Sequence, residues 1–321
     1  MKTNRTSKRV VITGMGWVTP LGDDLPGVWK RLLASESAIG PVTHFPASTY
    51  ATNFAAEVRG FDFSRFIADR ASHENAHLNT RYALAAASSA WKQAGLGDAS
   101  TGSALNKGIN PRRAGVYLGA GEGIPDFENF AAANLAGWNA ESRATDGTKW
   151  STAAYKHFNP ARELEQEPNF AVAHLADAFG CRGPAFNCMT ACAASTQAVG
   201  EASELIRRGD VDLMIAGGSH SMIHPLGFTG FIRLTAMSRR RDDPSTAARP
   251  FNITRDGFVM GEGAGMIVLE SLDHALARGA KPLAEIGGYG SSADAYRITD
   301  IHPEGKGAQA AMLGALTQAG I

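Results

Sequence analysis

Short runs of β-branched and other apolar residues alternate along the chain with alanine-rich stretches of helical periodicity. This alternation predicts the α/β fold class, with buried and largely parallel strands. Strands are predicted at residues 9–14, 114–120, 184–190, 211–218, 264–270 and 283–290. Helices are predicted at residues 79–94, 170–179, 192–208, 272–278 and 307–319. Residues 131–166 are polar and weakly periodic, so we expect them to form a long excursion from the core.

Two of the predicted helices are similar in sequence. The stretches that begin at Ala83 and Ala308 are identical at seven of fourteen aligned positions, five of them alanine. We interpret this as an internal repeat that divides the chain into two related halves, although alanine-rich helices can also match by chance. A predicted strand at Ala114 follows the first copy. Because a βαβ unit needs such a strand, we expect the second half to be incomplete at Ile321.

Composition narrows the possible functions. The chain has 321 residues, and its 31 Lys and Arg balance 31 Asp and Glu, so no net charge attracts it to nucleic acid or to an anionic membrane. The apolar run near Val10 is too short for a signal peptide or a membrane span, which predicts a cytoplasmic protein. Three cysteines argue against a disulfide framework. The CxxxC spacing of Cys188 and Cys192, with no histidine close by, does not suggest zinc.

Cys192 lies where a predicted strand gives way to a predicted helix. The free N–H groups and the dipole of a helix start favour a thiolate, and the same N–H groups can hold an oxyanion. Ala191, Ala193 and Ala194 are small neighbours that leave room for a substrate. Cys192 is therefore a candidate nucleophile, and the alternative is a small apolar residue that packs the helix start. For Cys188, on a buried strand, the structural interpretation is preferred.

Five segments carry a family resemblance. They are VVITGMGWVTPLG (10–22), TACAAS (190–195), GGSHSMIHPLGF (217–228), RPFNITRDGF (249–258) and RDGFVMGEGAGMIVLE (255–270). In this order they resemble the elongating β-ketoacyl-[acyl-carrier-protein] synthases of the KAS II type. The resemblance implies a thiolase-like layered α-β-α-β-α architecture of two related halves. Residues 1–250 would form the N-terminal half, with the excursion at 131–166, and residues 251–321 the beginning of the C-terminal half.

The resemblance also implies an activity. Cys192 matches the nucleophile that accepts an acyl group from an acyl carrier protein. Decarboxylation of malonyl carrier protein and attack of the carbanion on the acyl-enzyme would complete a Claisen condensation, in fatty acid or related polyketide biosynthesis. Phe258 matches a phenylalanine beside the active cysteine. No cofactor, metal, nucleic acid or membrane is implied, and a homodimer is expected because the relatives are dimers.

The sequence departs from the family pattern in its histidines. The two motifs that carry the condensing histidines do not occur, and the nine histidines present do not supply them. We therefore expect this chain alone not to complete a condensation, and the natural polypeptide to extend by about 90 to 110 residues. His220 stands inside a recognisable motif where relatives have Glu, which singles it out from the other histidines, for which structural roles are expected.

Two further departures concern the substrate and its carrier. Glu122 occupies a position beside the acyl channel that is apolar or small in relatives. Since a buried unpaired carboxylate is costly, either Glu122 turns away or the pocket takes a shorter or more polar chain. Relatives are rich in Lys and Arg at 69–77, where this chain reads DRASHENAH with Arg70 as the single residue of these two types, so carrier docking is predicted instead at Arg239, Arg240 and Arg241. A solvated basic loop is the alternative for these arginines.

Two rival functions use the same fold. One is a non-condensing partner subunit that resembles a chain-length factor, but such subunits typically lack the cysteine that this chain has at position 192. The other is an acyltransferase or hydrolase that uses Cys192 without condensation. A hydrolase would need a histidine and an orienting Asn or Asp around Cys192, and no motif identifies them.

Overall fold

The computed structural model of the chain describes residues 7–101, 108–121, 123, 126–298 and 300–321. Within these residues the strands are β1 (Val10–Val18), β2 (Gly40–Pro41), β3 (Phe54–Ala55), β4 (Ala114–Gly119), β5 (Trp138–Asn139), β6 (Ala144–Thr145), β7 (Ala185–Cys188), β8 (Leu213–His220), β9 (Gly263–Ser271) and β10 (Ala284–Glu285). The α-helices are α1 (Leu25–Leu33), α2 (Leu78–Gln93), α3 (Phe127–Gly137), α4 (Gly147–His157), α5 (Pro160–Leu164), α6 (Pro168–Ala178), α7 (Ala194–Arg207), α8 (Pro225–Arg233), α9 (Leu272–Ala277) and α10 (Lys306–Ala319).

The main sheet has six strands in the order β10-β1-β9-β8-β4-β7. β4 runs parallel to β7 and β8, whereas β9 is antiparallel to both β1 and β8, and β10 is antiparallel to β1. The prediction of a largely parallel sheet is therefore wrong. The connection between β8 and β9, residues 221–262, stays at one edge of the sheet, so β9 starts beside the end of β8, with Gly263 opposite His220.

Helices cover both faces of this sheet. On one face α2 and α6 pack over β1, β9, β8 and β4, around fully buried side chains that include Tyr82, Trp91, Leu118 and Phe179. On the other face α7 packs on β4 and β8 through Ala202 and Ile206. The α/β class is thus confirmed. Each of the five predicted helices is present, with its ends within two residues of the prediction.

Other sequence predictions need correction. The strand predicted at 283–290 is limited to β10, because the chain beyond Glu285 turns to lie against α10. The excursion at 131–166 holds α4, α5, the β5–β6 hairpin and most of α3. Asp126, Asp146 and Asn159 cap the starts of these three helices by accepting backbone N–H groups. Local capping, which weak periodicity conceals, therefore gives the excursion its structure.

Glycines let α2 approach β1 closely. A Cβ atom at Gly14 would lie 2.0 Å from the carbonyl oxygen of Ala90, and one at Gly16 would lie 2.2 Å from that of Ala86. Real Cβ atoms do not come this close to a backbone oxygen, so these two positions require glycine. The alanines on the facing side of α2 complete the close contact.

The second copy of the repeated helix uses the same contact. A Cβ atom at Gly288 would lie 2.1 Å from the carbonyl oxygen of Ala315, and one at Gly290 would lie 1.9 Å from that of Ala311. Ala311 and Ala315 are the residues that align with Ala86 and Ala90 in the repeat. The two helices therefore pack on glycine pairs in equivalent ways.

A shared hydrogen bond strengthens this equivalence. The side-chain oxygen of Gln93 accepts a 2.7 Å hydrogen bond from the backbone N–H of Met15, which lies between the two glycines of β1. The side-chain oxygen of Gln318, aligned with Gln93, accepts a 2.7 Å bond from Tyr289, between Gly288 and Gly290. Chance similarity between alanine-rich helices does not explain a shared hydrogen bond, so the internal repeat is the better explanation.

Across the described ranges, none of the helices combines the length and the apolar character that crossing a bilayer requires.

Candidate active site

The crossover from β7 through α7 to β8 places Cys192. Because β7, β4 and β8 are mutually parallel, α7 runs in the opposite direction and begins at the carboxyl edge of these strands. Cys192 lies in a 3₁₀ turn, Ala191–Ala193, directly before α7, and is exposed. Ala191 has φ 50°, a left-handed conformation that costs a non-glycine residue about 1–3 kcal/mol. This turn between strand and helix brings the thiol to the surface.

Glycines seat the start of α7 on the sheet. A Cβ atom at Gly119 of β4 would lie 2.3 Å from the backbone of Ala194, and one at Gly218 of β8 would lie 2.7 Å from the Cβ atom of Ser195. Any side chain at these glycines would push the first turn of α7 outward. Gly119 and Gly218 therefore fix where Cys192 stands above the sheet.

Cys192 lines a cavity of about 810 Å³ at this edge of the sheet. Its wall consists largely of glycines and alanines at the ends of β4 and β8 and the start of β9. The titratable side chains among the described lining residues are Cys192, His220 and Glu262. The histidine singled out in the sequence thus shares a cavity with the candidate nucleophile.

Glu262 is a structural carboxylate. It is buried, one of its oxygens accepts the backbone N–H of Val58 at 2.9 Å, and the other accepts the Ser221 hydroxyl at 2.6 Å. Burial and the nearby Glu262 charge raise the pKa of Tyr82. His44 Nε2 lies 3.6 Å from a Glu262 oxygen. These contacts hold the carboxylate in the wall of the cavity and join residues from four parts of the chain.

A second cavity of about 530 Å³ adjoins the first. Leu226, Phe231 and Leu234 of the α8 region line it, and Met222 and Phe231 border both cavities. No helix was predicted from the sequence at α8. Pro225, at the first position of α8, is a typical residue for the start of a helix. His224 caps this start, and its Nδ1 accepts the N–H of Gly227 at 3.3 Å.

The three cysteines differ in environment. Burial raises the pKa of Cys181 to about 12. Burial also raises the pKa of Cys188, whose thiol donates to the carbonyl oxygen of Ala194 at 3.2 Å. Cys192 is the exposed thiol of the three and faces the larger cavity.

Three histidines away from the cavity have internal partners. His73 and His174 contact each other through their Nδ1 atoms at 2.8 Å, and His174 Nε2 lies 2.9 Å from Glu165. Burial, followed by the charge of His174, lowers the pKa of His73. His274 pairs with Glu270 at 2.6 Å. These contacts stabilise the fold. No set of three or more His, Cys, Asp or Glu side chains in the described part of the chain is placed to hold a metal ion.

The sequence also predicted Phe258 and Glu122 as residues of the substrate pocket. Phe258 is absent from the described cavity wall, but its ring packs edge-on against Phe231 with centroids 5.4 Å apart, and Phe231 lines the cavity. Glu122 falls outside the described residues. Sequence reasoning also missed the seating role of Gly119 and Gly218, although small residues at strand ends were a visible sign.

The arginine loop, Arg239 to Arg241, lies beside Phe258. The N–H of Ser238 donates to the carbonyl oxygen of Phe258 at 2.9 Å, which ties the loop to this position. Arg239 and Arg241 are exposed, and Arg240 is half-buried with its guanidinium 3.6 Å from Asp243. The loop therefore offers positive charge near the cavity.

Comparison with known proteins gives consistent matches. The family model described as "Beta-ketoacyl synthase, N-terminal domain" matches residues 7–275. The chloroplastic 3-oxoacyl-[acyl-carrier-protein] synthase I of Hordeum vulgare is 38% identical over 314 residues, which are 98% of this chain and 64% of that protein. A crystal structure of a beta-ketoacyl synthase from Burkholderia phymatum is similar with a TM-score of 0.82 and 31% identity, over 98% of this chain and 71% of that one.

A second similar structure is a complex. It is a type II PKS acyl-carrier protein in complex with its ketosynthase, with a TM-score of 0.74 and 28% identity, over 98% of this chain and 71% of that one. The chain thus spans 64% to 71% of the length of these three relatives.

Proposed function

Because the chain belongs to the β-ketoacyl synthase family, we propose that it is an acyltransferase of the 3-oxoacyl-[acyl-carrier-protein] synthase type, in fatty acid or related polyketide biosynthesis. Cys192 accepts the acyl group from an acyl carrier protein thioester. The observation that carries this proposal is the position of Cys192, exposed at the start of α7 and facing a cavity of about 810 Å³. The reaction needs no metal or cofactor.

The start of α7 supplies the chemistry for acyl transfer. The first N–H groups of a helix have no acceptor within the helix, and the helix dipole places partial positive charge there. The Cys192 thiolate attacks the thioester carbonyl, and these N–H groups stabilise the oxyanion that forms. Collapse of this intermediate expels the carrier thiolate and leaves the acyl group on Cys192 Sγ.

The acyl chain occupies the second cavity in this proposal. The two cavities share Met222 and Phe231, so a chain attached at Cys192 reaches the apolar residues Leu226 and Leu234 by passing Phe231. Phe258 supports Phe231 from behind through their edge-on contact. Phe258 therefore acts by positioning Phe231.

The proposal separates loading from condensation. The two histidine motifs that the family resemblance assigns to condensation do not occur in this sequence. We therefore propose that this chain, by itself, loads Cys192 but does not complete the attack of the malonyl-derived carbanion. The division into halves at residues 1–250 and 251–321, and the cytoplasmic location, also remain proposals.

Loading is tested with an acyl carrier protein thioester. Incubation with the chain should add the mass of one acyl group, and peptide mapping should place it on Cys192. Cys192→Ala should abolish the addition, whereas Cys188→Ala, the matched control, should keep it. Acylation of Cys192→Ala at the wild-type rate would refute the proposal. Elongation of malonyl carrier protein by the chain would refute the separation of loading from condensation.

We propose that the arginine loop receives the acyl carrier protein. Its exposed charge lies close to Phe258, and a similar ketosynthase forms a complex with its own acyl-carrier protein. Reversing Arg239, Arg240 and Arg241 to Glu should slow association severalfold and reduce its salt dependence, because exposed charges steer encounter. The control reverses Arg143, Lys149 and Lys156, which carry the same total charge on the excursion. Equal carrier affinity in both variants would contradict this assignment.

We also propose that the protein forms a homodimer through β7. This strand is one of the two edges of the main sheet within the described residues, and Phe186 on β7 and Met189 after it are 46% and 60% exposed. An edge strand with exposed apolar side chains is a ready pairing site for a second copy.

A further inference from the structure

His220 is a second reactive group in the cavity that holds Cys192. It is the last residue of β8 and is exposed toward this space. Its role bears on acyl transfer to Cys192 and therefore rests on the proposed function. The Cys192 thiol must lose its proton for the sulfur to attack, and His220 is placed to take this proton.

The side of the sheet that His220 faces follows from its strand. A Cβ atom at Gly218 would meet the side chain of Ser195, so position 218 faces α7. Successive residues of a strand point to opposite faces, and β8 keeps its register with β9 through His220. His220 therefore also faces α7, about 6.6 Å further along the strand toward its carboxyl edge.

Cys192 is displaced in the same direction. It precedes Ser195 by three residues, which is about 5–6 Å along a helix that starts with a 3₁₀ turn. Because α7 runs opposite to β8, moving back from Ser195 to Cys192 and forward from Gly218 to His220 both lead toward the carboxyl edge. The thiol and the imidazole therefore stand at the same height, on facing elements.

Among the described residues of the cavity wall, His220 is the side chain best suited to accept the proton of Cys192. Glu262, the other titratable group of the described cavity wall, precedes β9 and is engaged by Val58 and Ser221. No lysine or arginine belongs to the described wall. Neutral imidazole is the standard acceptor for a proton near neutral pH.

We propose that His220 is the proton carrier of the acyl transfer. One ring nitrogen of its neutral imidazole takes the proton from the Cys192 thiol as the sulfur attacks the thioester carbonyl, and the new carbon–sulfur bond forms. When the bond to the carrier sulfur breaks, the imidazolium gives the same proton to the leaving thiolate. Atoms and charge balance, and no further reactant is needed.

The test compares the chain with its His220→Gln variant. The rate of Cys192 acylation by an acyl carrier protein thioester should fall about 100-fold at pH 7, and by less than about tenfold at pH 9, because a general base contributes less as hydroxide becomes more abundant. His157→Gln, an exposed position on α4, is the matched control and should behave as the wild type. Unchanged melting temperature in both variants confirms that the fold is intact.

Alkylation of Cys192 by iodoacetamide separates this inference from the proposed function. It requires no carrier, and at pH 7 it should slow about tenfold in His220→Gln, since the thiolate is the reacting form and His220 accepts the thiol proton. Wild-type rates in both assays at pH 7 would overturn the role of His220 and leave the proposed function standing. No acylation of the wild type, with alkylation still dependent on His220, would instead refute the proposed function.

Discussion

The different environments of the three cysteines predict that their thiols are alkylated at different rates. Cys192 is exposed, whereas burial raises the pKa of both other thiols, that of Cys181 to about 12. Limiting iodoacetamide at pH 7.5 should therefore label Cys192 first, at least about tenfold faster than either other cysteine, because the thiolate is the reacting form. Peptide mass spectrometry measures the order. Faster labelling of Cys188 or Cys181 in the folded protein would contradict it.

Glu270 predicts a dependence of stability on pH. Burial opposes its ionisation, but hydrogen bonds from Arg278, His274 and Thr13 outweigh burial and lower the pKa of Glu270 to about 2. A depressed carboxyl pKa stabilises the fold above the unfolded value of about 4.5, and this contribution is lost as pH falls toward 2. Glu270→Gln should cost about 3 kcal/mol at pH 7 and much less at pH 3.

Urea unfolding at pH 7, 4 and 3 checks this prediction. The exposed Glu141 provides the control, and Glu141→Gln should change the free energy of unfolding by less than about 0.5 kcal/mol at each pH. An equal loss for Glu270→Gln at pH 7 and pH 3 would show that the charge of Glu270 is not what stabilises the fold.

Single residues could be located from the sequence where a local pattern carries the information. The exposed position of Cys192 before α7 follows from the contiguous strand, turn and helix around it, while its role as nucleophile stays a prediction. Nothing in the sequence indicated that Phe258 packs on Phe231, since this contact joins two separate parts of the chain. Glu262 was missed, because its partners Val58 and Ser221 come from separate parts of the chain.

Close packing of helix on strand predicts the effect of adding one methyl group. Gly16→Ala would place a Cβ atom 2.2 Å from the backbone of α2, so α2 or β1 must move. We expect a loss of about 2–3 kcal/mol in the free energy of unfolding, typical of overpacking. Gly265→Ala on the neighbouring strand meets no atom within 4 Å and should cost less than about 0.5 kcal/mol. Chemical denaturation of both variants measures the difference, and equal stability would contradict it.

Elements with strong periodicity were predictable, whereas strand direction was not. The alanine-rich helices α2 and α10 extend over several turns, so their pattern identified both. α1 and α8 are short, and the signal in each is a cap followed by proline. The antiparallel direction of β9 depends on where residues 221–262 leave and rejoin the sheet, which apolar runs do not encode.

The proposed dimer contact at the edge strand β7 can be tested by a charge in the interface. If two copies pair through β7, Phe186→Asp places a charge in the interface and should shift the protein to a monomer, with a dissociation constant raised at least about 100-fold. Leu276→Asp, at an exposed position on α9, is the control and should leave assembly unchanged. Sedimentation velocity over a range of concentrations measures both. A dimer of unchanged affinity in Phe186→Asp would exclude this edge.

The ribosome synthesises β1 long before the strands that pair with it. β1 is complete at Val18, yet its neighbours β9 and β10 begin at Gly263 and Ala284. A ribosome that adds about 5–20 residues per second therefore needs roughly 12 to 50 s to produce them. During this interval Val10, Val11 and Val18 have no sheet to join and can pair with other chains. The speed of translation, more than the stability of the finished sheet, determines how long this strand is exposed to aggregation.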